Sequence, residues 1–163
     1  MDWALVISAF SAAGVGSVVG SAYSQAKDRR VARGNFLDAL GEVETERWFE
    51  LSEGSLDITV RQARLCALLA AIPPDVTSMY LALARTAYDN SRKSWVESGE
   101  TSDAINATLG RAVLEAARLL VDTAWHPVLI RLALVGRRRR LRAMIAALEP
   151  QHVEEFKRHS NRI

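Results

Sequence analysis

The sequence predicts an all-α protein: one N-terminal transmembrane helix followed by a cytoplasmic bundle of four to five helices. Three observations predict it. Trp3 to Tyr23 is a run of 21 residues without a charged side chain. Beyond Lys27 the chain is rich in alanine, leucine and arginine, with apolar residues recurring at helical spacing. The four prolines (Pro73, Pro74, Pro127 and Pro150) leave long stretches between them free to be helical. At 163 residues the chain suffices for one domain. The 49% apolar and 25% charged residues exclude a disordered chain.

The anchor comes first. As a helix, Trp3–Tyr23 would span ~31 Å, close to the hydrocarbon thickness of a bilayer. Trp3 and Tyr23 stand at its two ends, where amphipathic aromatic rings prefer to sit. Lys27, Arg29, Arg30 and Arg33 follow directly, with only Asp28 opposing them. The positive-inside bias therefore predicts an N-terminus outside the cell membrane and a C-terminal domain in the cytoplasm. Three other readings compete. A cleaved signal peptide would need a positive n-region, but the chain starts Met-Asp, although small residues near Ala22 and Ala26 imitate a cleavage site. A buried core helix is compatible with the five serines in or beside the run (Ser8, Ser11, Ser17, Ser21, Ser24). A dinucleotide fingerprint fails because Val19 occupies the third-glycine position after Gly14 and Gly16. Within the anchor, Ser8, Ala12, Gly16, Gly20 and Ser24 recur every fourth residue. Such a stripe of small side chains lets two helix backbones approach closely, which predicts homo-oligomerisation or a partner helix in the bilayer.

The remaining organisation reads as a basic juxtamembrane linker over 27–35, a helical bundle over 36–149 and a charged C-terminal tail over 150–163. Gly34-Asn35 looks like a break, with Asn35 capping a helix from about Phe36 to Leu51. Phe36, Leu37, Leu40, Val43, Trp48 and Leu51 fit its apolar stripe. Gly54-Ser55 ends it, and a second helix runs to about Ile72. Leu56, Ile58 and Val60 alternate with polar residues, so that helix could begin with a short extended stretch. Pro73-Pro74-Asp75 separates it from a third, on which Val76, Met79, Tyr80, Leu83 and Ala87 share a face. Glu97 to Ser102 forms a polar loop, and Thr101 or Ser102 caps a helix carrying Ile105, Leu109, Val113, Ala116 and Leu120. Trp125-His126-Pro127 marks a boundary. A last long helix reaches about Leu148.

Two charge runs stand out. Asp38, Glu42, Glu46 and Glu50 fall at successive i+4 positions, a row of carboxylates that repels itself by a few tenths of a kcal/mol per pair unless a cation faces it. Arg137, Arg138, Arg139, Arg140 and Arg142 put five arginines into six positions and so wrap their helix. Anionic lipid headgroups, an acidic partner, the chain's own acidic row and nucleic-acid phosphate are the possible counterparts. With a net charge of +2 and no aromatic residues interleaved, the run lacks the other marks of a nucleic-acid binder.

Motifs for catalysis are absent. There is no phosphate-binding G-x-x-x-x-G-K-[ST] loop and no G-x-S-x-G nucleophile elbow. Cys66 sits in an apolar run and reads as a buried, inert thiol. Asp122 and His126 are i,i+4 neighbours suited to a structural hydrogen bond. Glu149 and His152 match E-x-x-H in letters only, because Pro150 interrupts them, so no metal or cofactor is expected. Trp48, Trp95 and Trp125 read as core or interface anchors. Eighteen of the 21 basic residues are arginine, a composition compatible with a high-GC bacterial genome. The expected function is a membrane-anchored interaction or scaffold protein, not an enzyme, that holds a partner or itself at the cytoplasmic face. The alternative is a soluble helical regulator that buries residues 3–23 in its core and binds nucleic acid through Arg137–Arg142.

Overall fold

The computed structural model describes residues 27–48, 54–98, 103–125 and 130–162. They form six helices and, among the described residues, no strand. We label them α1 (residues 27–48), α2 (Ser55–Leu69), α3 (Pro74–Ser98), α4 (Asp103–Trp125), α5 (Ile130–Ala146) and α6 (Pro150–Ser160). The all-α expectation holds. Among the described residues no helix is long and apolar enough to cross a membrane. The expected span Trp3–Tyr23 and its stripe Ser8, Ala12, Gly16, Gly20 and Ser24 lie outside the described residues.

The centre of the fold is α3, which packs against α2, α4 and α6, while α5 packs on α4. Between Val76 and Ala87 only Ser78 and Arg85 are not buried. A helix buried on every side must be apolar all round, and Tyr80-Leu81-Ala82-Leu83-Ala84 is. The polar atoms it cannot avoid are satisfied locally. The Thr77 and Thr86 hydroxyls donate to the carbonyls of Pro73 and Ala82, four residues back. Around α3 the core takes Phe36, Leu40 and Val43 from α1, Leu56 and Val60 from α2, Leu109, Val113, Leu119 and Leu120 from α4, and Leu141 and Ile145 from α5.

Several boundaries differ from those expected. Residues 27–35 are no linker, since α1 runs through Gly34 and Asn35 without a break. One glycine in a helix costs only about 1 kcal/mol relative to alanine, and the packing of Phe36, Ala39 and Leu40 beyond it outweighs that. Residues 150–160 are no loose tail either. Pro150 occupies the first turn of α6, where proline has no hydrogen bond to lose. His152 and His159 of this helix are buried, and the helix packs on α3. The start of α2 is helical rather than extended, with Leu56 and Val60 buried one turn apart and Ile58 exposed. Trp48 and Trp125 are exposed, so neither belongs to the core. The side chains of Trp95 and Ile105, and residues Leu51 and His126, lie outside those described.

The α2–α3 corner is tight. Ile72 N–H donates to the Ala67 carbonyl at 2.9 Å and Ala71 N–H to the Leu68 carbonyl at 3.1 Å, the paired bonds of a Schellman motif. The motif needs a left-handed residue, and here Ala71 supplies it at φ 55° in place of the usual glycine.

Candidate functional site

The end of the bundle from which residues 1–26 lead off gathers an unusual set of side chains. α1 begins there with Lys27, Arg29 and Arg30 exposed and Arg33 half-buried. Arg33 lines a cavity of about 420 Å³ with Ala70 and Pro73 from the α2–α3 corner, Thr123 near the end of α4, and Leu134 and Arg138 in the first half and middle of α5. Four chain segments therefore meet at this end: the start of α1, the α2–α3 turn with both its flanks, the end of α4 and the first half of α5. A second cavity places Arg29 and Val31 of α1 beside Cys66 and Leu69 of α2.

Apolar side chains project into solvent around the same end. Leu69 is 77% exposed and Leu68 57% at the last turn of α2, with Val31 at 56%, Trp125 at 61% and Val135 at 51%. The physical origin is visible in α2. Leu56, Val60, Ala63 and Ala67 face the core, while Ile58, Leu65 and Leu69 fall on the opposite face, so α2 is apolar on two sides. Exposed leucines scattered singly mean little, but here Val31 and Leu69 line one cavity together with Arg29. Cys66 is half-buried on this wall rather than enclosed in the core.

The arginine run divides. Arg137 pairs with Asp122 of α4, and Arg138 Nη1 lies 3.1 Å from Asp75 Oδ2 at the start of α3. Asp122 is thus an arginine partner, and His126, expected beside it, lies outside the described residues. Arg139, Arg140 and Arg142 are exposed, and Leu141 between them is the buried contact of α5. Among the described residues the acidic row does not meet these arginines. Asp38 and Glu42 are exposed, Glu46 accepts a hydrogen bond from Ser55 across the α1–α2 connection, and Glu50 lies outside the described residues.

The buried polar network belongs instead to an acid outside that row. Tyr80, wholly buried on α3, donates its hydroxyl to Glu44 Oε1 at 2.7 Å, and Arg47 holds the other oxygen at 2.5 Å. Burial pushes the Tyr80 phenol far above its ordinary range, the Glu44 carboxylate raises it further, and Arg47 opposes both. His159 Nε2 lies 2.9 Å from Asp89 Oδ2. Burial lowers the His159 pKa while Asp89 pulls it back up. Among the described residues no three His, Cys, Asp or Glu side chains come together as metal ligands would.

Sequence reasoning found the basic start of α1 but missed the apolar half of this end. The signal was Leu65 and Leu69 on α2, one turn apart and opposite Ala63 and Ala67. Compared with known protein families, curated proteins and solved structures, the chain has no match in any of the three.

Proposed function

We propose that the chain is a membrane-anchored helical interaction module. Residues 3–23 span the bilayer, N-terminus outside, and the end of the bundle around the start of α1 rests on the anionic cytoplasmic leaflet. Its role is to hold a partner, or a second copy packed through the Gly16–Gly20 stripe, at that surface. The observation that carries this reading is the convergence of exposed apolar and basic side chains on the end where the uncharged segment joins. Only three residues separate Tyr23 from Lys27, so a bilayer-spanning segment would hold this end against the headgroups.

The energetics favour that contact. Each basic residue near an anionic leaflet contributes roughly 1 kcal/mol, and Lys27, Arg29 and Arg30 are exposed to supply it. Burying a leucine fully is worth about 1.5–3 kcal/mol, and Leu69, at 77% exposed, has most of that still to gain. An interfacial surface needs this pairing of apolar wedge and cationic rim.

Single-cysteine labelling tests it. In a Cys66→Ser background, Leu69→Cys, Trp125→Cys, Ile58→Cys and Leu114→Cys variants of the full chain are labelled with a polarity-sensitive fluorophore. They are reconstituted in phosphatidylcholine–phosphatidylserine vesicles carrying nitroxide lipids. Labels at 69 and 125 should be blue-shifted and quenched, while those at 58 and 114 stay aqueous. Four equally aqueous labels would refute the apposition. Release of the chain from membranes by alkaline carbonate would refute the span.

A further inference from the structure

A second concave surface lies along the side of the bundle, between α2, α3 and the C-terminal end of α6. We propose that it is a binding site for a phosphate-bearing ligand, held by Arg61, Arg64 and Arg162 with Arg85 and His159 at its base. This proposal is independent of the membrane reading.

The depression has a volume of about 310 Å³ and is lined by these five residues with Asp57 and Val60. Arg61 and Arg64 stand one turn apart on α2, so their side chains leave the helix in neighbouring directions. Arg85 comes from the middle of α3, and Arg162 follows the last turn of α6. Three separate elements therefore bring four guanidinium groups to one hollow. The only carboxylate lining it, Asp57, is already paired with Arg85. Among the described residues Arg61, Arg64 and Arg162 have no carboxylate partner, and all three are exposed.

Gathering cations in a hollow is unfavourable unless an anion joins them. Guanidinium is the group best shaped for a phosphate, since its planar fork donates two parallel bonds to two oxygens. Arg85 Nε is buried and, among the described residues, has no hydrogen-bond acceptor. His159 lies behind it with its ring 7% exposed and Nε2 directed at Asp89, on the α3 side. The groups around His159 are Asp89 and Arg85 of α3, Glu155 of α6, and the α2 residues Asp57, Arg61 and Arg64.

The site adjoins the membrane-facing end at one edge, where Arg64 also lines a cavity with Leu68 and Pro74. Arg64 is five residues before Leu69, and the hollow continues from there away from that end to Asp57 in the first turn of α2. A lipid phosphate and a free phosphorylated molecule share the recognised chemistry, and the experiment tells them apart.

The full chain in neutral detergent is titrated with inorganic pyrophosphate, followed by calorimetry and by the imidazole resonances of His159. Saturable binding at one site is expected, with the His159 resonances moving as the multiply charged anion settles beside the ring. Removing one charged donor weakens such a bond about tenfold or more, so Arg64→Gln and Arg162→Gln should each do so. Both residues are exposed, and an unchanged far-ultraviolet spectrum would show that the fold persists. Arg139→Gln combined with Arg140→Gln, on the arginine run of α5, should leave the affinity unchanged. Phosphatidic acid added to the micelles assigns the source: competition points to a lipid headgroup, its lack to a soluble ligand, and both keep the site. No saturable binding, or equal losses in the α5 double variant, would overturn the proposal.

Discussion

Tyr80→Phe is the sharpest test of how this core is held, because it removes one oxygen and keeps the ring. The lost interaction is the 2.7 Å bond from the phenol to Glu44. Hydrogen bonds to charged acceptors contribute about 1.5–3 kcal/mol net. Here the lower figure applies, since Glu44 keeps Arg47 and its side chain is 30% exposed, so no isolated buried charge is left behind. At pH 7 the variant should be about 1.5 kcal/mol less stable. The difference must also depend on pH. The folded phenol titrates far above its ordinary value, so between pH 10 and 11 the unfolded chain loses a proton that the folded chain keeps. Stability gained from a raised pKa is complete below the unfolded value and falls as pH rises past it, by about 1.4 kcal/mol at pH 11. The phenylalanine variant lacks this loss. The stability curves of the two proteins should therefore converge near pH 11, while Tyr88 and Lys93, present in both, cancel from the comparison. Urea unfolding of the full chain in detergent, followed by circular dichroism at several pH values, measures the gap. A gap that stays constant with pH would refute the reasoning, as would a variant equal to wild type at pH 7.

Two further substitutions probe local strain and burial. Ala71→Gly should raise stability by about 0.5–1 kcal/mol, because Ala71 occupies a left-handed conformation (φ 55°) that glycine adopts without steric cost; a lower thermal midpoint would contradict the corner geometry. His152 is 3% exposed, and neither ring nitrogen has a hydrogen-bond partner among the described residues, Glu149 being 3.8 Å away. His152→Leu should therefore leave thermal stability unchanged or raise it by about 1 kcal/mol; a loss of that size would mean that the imidazole is satisfied.

Much of the helical architecture was legible from apolar spacing alone. The faces built from Val76, Met79, Tyr80, Leu83 and Ala87, and from Leu109, Val113, Ala116 and Leu120, are buried as expected. The basic start of α1 was legible too, because charge beside an uncharged run needs no tertiary information. What failed were readings that treated single residues as punctuation. Gly34 looked like a boundary yet lies inside α1, while Pro150 is a boundary but opens a further helix, α6, where a tail was expected. A breaker acts through a local cost of a kcal/mol or so, and packing on either side can exceed it.

By itself, the sequence determined that the described residues are helical, roughly where α2, α3 and α4 run, and which faces of α3 and α4 are buried, since amphipathic period and burial are two views of one pattern. Only the tertiary structure decided that α3 is the central helix, surrounded by α2, α4 and α6. It also decided which charges meet: Arg137 with Asp122, Arg138 with Asp75, Tyr80 with Glu44, and four arginines from α2, α3 and the end of α6 around one hollow. Periodicity along a helix specifies a direction around its own axis. Which residue waits in that direction depends on how the helices cross, and no local pattern contains it.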